Sequence, residues 1–323
     1  MKNILITGAA GLMASHLANR LVNSGKDYHV VGIVKDRNFR CRRDVLDRIS
    51  VAYGDIRDID FLRYTMSRYS IDTVFHLAAV TIVGQSVKDA LSTYDVNVMG
   101  TVKVLQAALE TGVKKIVSKS SDKAMGTYTN LPYTADMLVQ PSPDPYSTSK
   151  ACMDMISQEY AWRTGLDVSI IRAGNIYGHD LNISRLIPRS MIRCIEGKAP
   201  VIYKGVGEYK REFLWAEDVV DAYLTVAEKG GVGEVYLVGG SGYLTVYETV
   251  KKICEVAGFD GEPEVIDKTG FKEIKEQYLD ASKLERLGWQ CKYPIDKGLK
   301  EAYEWYRQYK TNPDFRKRLF YIH

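Results

Sequence analysis

Residues 7–14 read TGAAGLMA, between the apolar run KNILIT at 2–7 and the helically spaced Leu12, Leu17 and Leu21. A glycine loop that leaves a strand and opens a helix commits the chain to a strand, turn and helix unit whose helix N-terminus offers amide donors to an anion. Gly8 permits the tight turn, Gly11 permits close backbone approach, and Ala14 stands at the third small position. Apolar runs recur at 28–34, 49–55, 71–79, 114–121 and 166–175, and helical patterns at 93–111 and 146–161 fall between them. This alternation predicts an α/β protein with a doubly wound parallel sheet, helices covering both faces. Beyond about residue 180 the pattern changes: 185–194 and 216–227 read as helices and 233–240 as extended. The chain therefore divides near residue 180 into an alternating unit over 1–180 and a smaller mixed α/β lobe over 181–323.

A length of 323 residues accommodates two such units, and 46% hydrophobic with 26% charged residues is a globular composition. No apolar stretch approaches the roughly 18 residues needed to span a bilayer, so no membrane partner and a soluble, cytoplasmic protein are expected. The net charge of +4 from 44 basic and 40 acidic residues is too small and too dispersed to indicate nucleic acid. The five cysteines, Cys41, Cys152, Cys194, Cys254 and Cys291, form no CxxC pair and the five histidines are scattered, so no metal site is expected.

The glycine loop in this context is a fingerprint for a dinucleotide pyrophosphate. A second signal is YSTSK at 146–150, which places Tyr146 and Lys150 one helical turn apart on one face. A lysine ammonium beside a phenol stabilises the phenolate and lowers its pKa, making tyrosine a usable base. Ser121 ends the preceding strand, where its hydroxyl can meet a substrate oxygen.

Together with GDI at 54–56, HLAA at 76–79, NVMGT at 97–101, SSDK at 120–123 and RAGNIYG at 172–178, these motifs resemble the extended short-chain dehydrogenase/reductases that act on nucleotide sugars. REFLWAEDV at 211–219, LDASKLERLGW at 279–289 and GLKEAYEWY at 298–306 extend the resemblance over nearly the whole chain. The resemblance implies a Rossmann domain over 1–180 and a nucleotide-sugar lobe over 181–323. It implies cofactor contacts from Gly8, Ala10, Gly11, Leu12 and Met13 in the loop. Lys35, Asp36 and Arg37 would follow at the second strand end, Asp55 and Ile56 beside the adenine, and Leu77, Ala78, Ala79, Asn97 and Ile176 along the dinucleotide, with Tyr146 and Lys150 serving both cofactor and catalysis. Asn175, Arg185, Leu186, Tyr203 and Arg211 would hold the nucleotide diphosphate, Arg211 through its guanidinium fork. Relatives often dimerise through two helices per subunit, here 93–111 and 147–164, so a homodimer or dimer of dimers is implied.

The run Ser121, Asp122, Lys123 is similar to the Ser/Thr, Asp, Lys arrangement of CDP-glucose 4,6-dehydratases and of inverting UDP-N-acetylglucosamine dehydratases. It implies C4 oxidation, loss of water across C5 and C6, and hydride return to C6, with Asp122 as the acid. Lys123 would be a base or a cation stabilising the enolate. A surface ion pair between Asp122 and Lys123 is the other reading. A 4-epimerase or 5-epimerising dehydratase on the same scaffold is the alternative function, and a non-catalytic dinucleotide sensor a remote one. NAD-specific folds end the second strand in an acid, but Val34 stands there and Lys35 and Arg37 follow, which favours NADP over NAD.

Overall fold

The computed structural model describes residues 1–35, 43–128, 130–140, 142–267 and 274–320. Strands β1 (Asn3–Thr7), β2 (His29–Val34), β3 (Ser50–Tyr53), β4 (Thr73–His76), β5 (Lys115–Lys119) and β6 (Val168–Ala173) are joined by helical crossovers. They are followed by β7 (Asn175–Tyr177), β8 (Val201–Tyr203), β9 (Lys210–Trp215), β10 (Val235–Val238), β11 (Tyr243–Thr245) and β12 (Glu264–Ile266). A seven-stranded sheet in the order β10-β6-β5-β4-β1-β2-β3 forms the centre, and every pairing in it is parallel. The order reverses between β1 and β4, which opens a crevice at the carboxyl ends of the strands. The fold is the doubly wound α/β architecture.

Both faces of the sheet are buried, as near-continuous apolar strands require. On one face Ile4, Ile6, Phe75 and Val117 pack against Leu17 and Leu21 of the helix Leu12–Val22 and against Val219 and Tyr223 of the helix Ala216–Lys229. On the other, Leu5, Val74 and Ile116 pack against Leu62, Val104 and Tyr160 from three further helices. Burying a Leu or Ile side chain stabilises by roughly 1.5–3 kcal/mol, so the central strands are anchored from both sides. A three-stranded sheet β11-β9-β7 and a β12-β8 pair lie outside the central sheet.

Two expected elements differ. The helix read over 93–111 is a helix at Ala90–Tyr94, a π-helical turn at Asp95–Met99 and a helix at Gly100–Thr111. Wider turns of this kind recur at functional sites, and here the turn carries Asn97, fully buried. The strand read over 166–175 ends at Ala173, and Asn175 begins β7 in the smaller sheet. The break falls at Gly174, where a Cβ would lie 3.5 Å from the Glu212 carbonyl oxygen and 3.8 Å from Asp122 Oδ2. Both are ordinary contact distances, and beyond the break Asn175 pairs with Phe213 of β9 instead of continuing in the central sheet. Among the described residues no helix is long and apolar enough to cross a membrane, and no group of three metal-ligating side chains occurs.

Candidate active site

Gly8 adopts φ +69°, and a Cβ on it would stand 2.8 Å from Ala78 Cα. The turn is therefore closed to any side chain, and the Gly11 amide donates to the Gly8 carbonyl at 2.9 Å. Gly11 caps the helix Leu12–Val22 without a side-chain bond, and no acid lies in its first turn. Its opening amides thus face the crevice with positive dipole. Thr7 braces the adjacent β4 end: its Oγ1 accepts from the Leu77 amide at 3.0 Å and the Ala78 amide at 3.1 Å. His76 bridges Thr7 Oγ1 at 2.9 Å and Thr101 Oγ1 at 3.0 Å, and burial, aided by the Lys150 charge, holds it down at about 3. Asn97 accepts from the Val80 amide at 2.8 Å and donates to the Val80 carbonyl and Ser149 Oγ, which locks the segment after Ala79 to the Pro145–Thr164 helix. Met13 and Ile56 are buried, whereas Ala10, Leu12, Ala78 and Ala79 are half-buried along this rim. Ile176 lies in β7 beside Leu214.

At the far end Asp55 is held at about 2 by hydrogen bonds from Arg57, which also reaches Asp95 at 2.7 Å. The exposed Lys35 ammonium lies 3.4 Å from Asp55. Asp36 and Arg37 lie outside the described residues. The glycine cradle and the uncapped helix end fit the diphosphate of a dinucleotide.

The Pro145–Thr164 helix starts sharply because Asp144 accepts from the Ser147 amide at 2.9 Å and Pro145 occupies its first turn. Tyr146 and Lys150 thus sit in its first two turns, as the spacing requires. The expectation that Lys150 lowers the phenol needs correction. Burial pushes Tyr146 up to about 12, with the Ser121 hydrogen bond opposing and the Asp122 charge adding. The Lys150 ammonium donates to the Lys119 carbonyl at 3.1 Å and contacts Met153 Sδ at 3.3 Å. Burial, then the Lys119 charge, brings Lys150 down to about 7. Lys119 itself falls to about 8 through burial and Arg185, with Asp180 opposing.

Ser121 Oγ donates to Asp122 Oδ1 at 2.9 Å and accepts from the Lys123 amide at 3.2 Å. Asp122 is only 3% exposed, and Lys123 Nζ donates to Gln277 Oε1. The surface ion pair is therefore not what forms. Glu212 is also buried here, accepting from the backbone amides of Gly240, Ser241 and Leu279. Burial raises it to about 7, and the Asp122 charge adds to the rise.

The residues read as nucleotide contacts are spread over separate elements from β7 onward. Arg185 lies 3.6 Å from Asp180 and precedes Leu186 at the start of the helix Leu186–Ile195. Tyr203 accepts from Arg189 Nη1 at 2.9 Å. Arg211, 4% exposed, donates to the carbonyls of Lys210 and Lys275, and Asn175 donates to the Glu212 carbonyl at 3.4 Å. Sequence reasoning missed Lys119, Glu212 and Gln277. A charged residue ending an apolar strand was a usable signal for Lys119; nothing local marked Gln277.

A model of the NAD dependent epimerase/dehydratase family matches residues 4–239. The chain is 33% identical over 327 residues to an Arabidopsis thaliana trifunctional UDP-glucose 4,6-dehydratase/UDP-4-keto-6-deoxy-D-glucose 3,5-epimerase/UDP-4-keto-L-rhamnose-reductase, covering 97% of this chain and 48% of that protein. It thus spans about half the length of these plant relatives. It is 31% identical to a dTDP-D-glucose 4,6-dehydratase of Mus musculus, over 95% of this chain and 89% of that one. Among solved structures, a dTDP-glucose 4,6-dehydratase from Streptomyces venezuelae with NAD bound superposes with a TM-score of 0.87 at 28% identity, covering 96% and 99% of the two chains.

Proposed function

The chain belongs to the NAD dependent epimerase/dehydratase family, and from that premise we propose that it is a nucleotide-sugar 4,6-dehydratase forming a 4-keto-6-deoxy sugar. The observation that carries this is Asp122: a buried acid hydrogen-bonded to the serine that also meets Tyr146. A 4-epimerase needs the Tyr146, Ser121 and Lys150 set; loss of water needs a further proton donor, and Asp122 supplies it.

Ser121 and Tyr146 orient the C4 hydroxyl, and Tyr146, which burial holds as the neutral phenol, takes that proton only as the phenolate, a form that the positive charge of an oxidised nicotinamide would favour. A dinucleotide held by the glycine loop would supply hydride acceptance from C4 and hydride donation to C6, leaving a net loss of water with no net oxidation. The C4 ketone acidifies the C5 proton. As that proton leaves, its electron pair forms the C5–C6 double bond, the C6–O bond breaks, and Asp122 protonates the departing oxygen to give water. Lys123 acts as the base or stabilises the enolate, and a proton returns to C5. Arg185 and Arg211 suit the diphosphate, Asn175, Leu186 and Tyr203 the rest of the nucleotide.

Glycine-loop residues Gly8, Gly11, Leu12 and Met13 would hold the dinucleotide phosphates. NADP is favoured over NAD because β2 ends in buried Val34 with Lys35 beside it. We assign the dinucleotide unit to 1–180 with the return around 213–240, and the sugar lobe to 181–323. A homodimer fits the exposed Leu91, Met155 and Trp162 in or beside the two helices that relatives use to dimerise, and a cytoplasmic location fits the cofactor.

The test is to incubate the purified protein with CDP-, GDP-, UDP- and dTDP-sugars and either NADP or NAD. Product is followed by the absorbance of 4-keto-6-deoxy sugars in base and by mass. Loss of water supports the dehydratase, an isomer of unchanged mass means an epimerase, and cofactor binding without turnover means a sensor. Release of any bound dinucleotide by denaturation, with its mass, decides NADP against NAD, and light scattering decides the dimer.

A further inference from the structure

The segment around residues 275–280 crosses the candidate site and is pinned on both sides. The Lys275 carbonyl accepts from the Lys210 amide at 2.9 Å and from Arg211 Nη1 at 3.0 Å. The Tyr278 carbonyl accepts from the Tyr133 amide at 3.0 Å, and the Asp280 amide donates to the Tyr133 carbonyl at 2.9 Å. Between these anchors Gln277 turns inward and is 2% exposed.

Its carboxamide is half used. Oε1 accepts from Lys123 Nζ, while Nε2 is buried with no hydrogen-bond partner among the described residues. The Gln277 carboxamide lies within hydrogen-bonding reach of the Tyr133 hydroxyl and opposes the burial that raises it, but that hydroxyl donates to the Gly126 carbonyl at 3.1 Å and accepts from the Tyr128 amide at 3.3 Å, and no contact at Nε2 meets hydrogen-bond geometry. A buried amide donor left unpaired is costly, and in native proteins such a group calls for an explanation. Here it lies on the side chain that holds Lys123, the residue that follows Asp122 in the chain.

We propose that Gln277 is a positioning residue for the elimination step. Its Oε1 holds the Lys123 amine beside Asp122, and its Nε2 donates to an oxygen of the bound sugar. The inference rests on the dehydratase reading. A neutral acceptor suits the role: it orients the amine without neutralising it, whereas a carboxylate at 277 would form a buried ion pair and withdraw Lys123 from the substrate.

The experiment compares Gln277→Met, which keeps size and loses both polar atoms, with Gln277→Glu, Lys123→Met and the double variant of Lys123→Met and Gln277→Met. Thermal melts check folding. Three readouts are taken: appearance of reduced nicotinamide on adding the nucleotide sugar, solvent deuterium entering the product at C5, and binding of nucleotide sugar against nucleoside diphosphate alone. The expected result for Gln277→Met and Gln277→Glu is unchanged formation of reduced nicotinamide, which accumulates, with product and deuterium incorporation slowed roughly 100-fold. At saturating nucleotide sugar the double variant should be no slower than Lys123→Met. For Gln277→Met, binding of the nucleotide sugar should weaken while that of the diphosphate is unchanged. Equal slowing of C4 oxidation and elimination, additive losses in the double variant, weaker diphosphate binding, or wild-type rates in Gln277→Met would each overturn the assignment. Failure of the wild-type protein to dehydrate any nucleotide sugar would remove the dehydratase reading and this role with it.

Discussion

The Lys150 ammonium donates to the backbone carbonyl of Lys119 at 3.1 Å, which brings two lysines to the end of β5. Burial and the neighbouring Lys119 charge leave Lys150 at about 7 against an ordinary 10.5. Between those values the unfolded chain carries the extra proton, so this group makes the fold more stable as pH rises through the window. Comparing wild type with Lys150→Met by denaturant unfolding, the difference should shift by about 2 kcal/mol in favour of wild type from about pH 7 to about pH 9. A constant difference would show that Lys150 keeps its charge in the folded protein.

In the proposed mechanism Asp122 donates a proton only after C4 has been oxidised. Asp122→Asn should therefore reduce the bound nicotinamide on mixing with substrate but form 4-keto-6-deoxy product at least about 100-fold more slowly. Stopped-flow absorbance with product analysis separates the two steps. Product at the wild-type rate would exclude the acid role.

Glu212 has the opposite sign to Lys150. Burial raises it to about 7 from 4.5, so the folded chain holds the extra proton and stability from this group falls as pH rises through that interval. Gln at this position does not titrate. The stability advantage of wild type over Glu212→Gln should shrink by about 2 kcal/mol between about pH 5 and about pH 7, read from paired urea titrations.

Gly8→Ala places a methyl group 2.8 Å from Ala78 Cα at a φ of +69°. The substitution should cost about 1–3 kcal/mol of stability and weaken dinucleotide binding. Thermal shift with and without cofactor measures both, and a variant that binds as wild type would mean that the turn does not cradle the diphosphate.

The parts of the site legible in the sequence are those carried by short segments. Gly8 and Gly11 belong to one turn, Ser121 to Lys123 to one strand end, and Tyr146 with Lys150 to one helical face. In each case the chemistry depends on backbone geometry over a few residues, and spacing reveals it. The π-helical turn at Asn97 was not legible, because the apolar spacing of 93–111 fits an ordinary helix; its carboxamide is committed to Val80 and Ser149, partners brought by other elements. Nor was the break after Ala173, beyond which Asn175–Tyr177 pair with Phe213–Trp215, a segment distant in sequence.

By itself the sequence determined the alternating α/β architecture, the glycine cradle and the order of Ser121, Asp122, Tyr146 and Lys150, since local propensity and hydrophobic period encode all of these. Only the tertiary structure decided their electrostatics. Lys123 finds Gln277 across 154 positions of chain, Glu212 is raised by burial and further by the Asp122 charge, and Tyr146 is driven up rather than down by burial. Those outcomes depend on which distant segments meet over the crevice and how much water they exclude, and desolvation is a property of the assembled interior that no stretch of sequence carries alone.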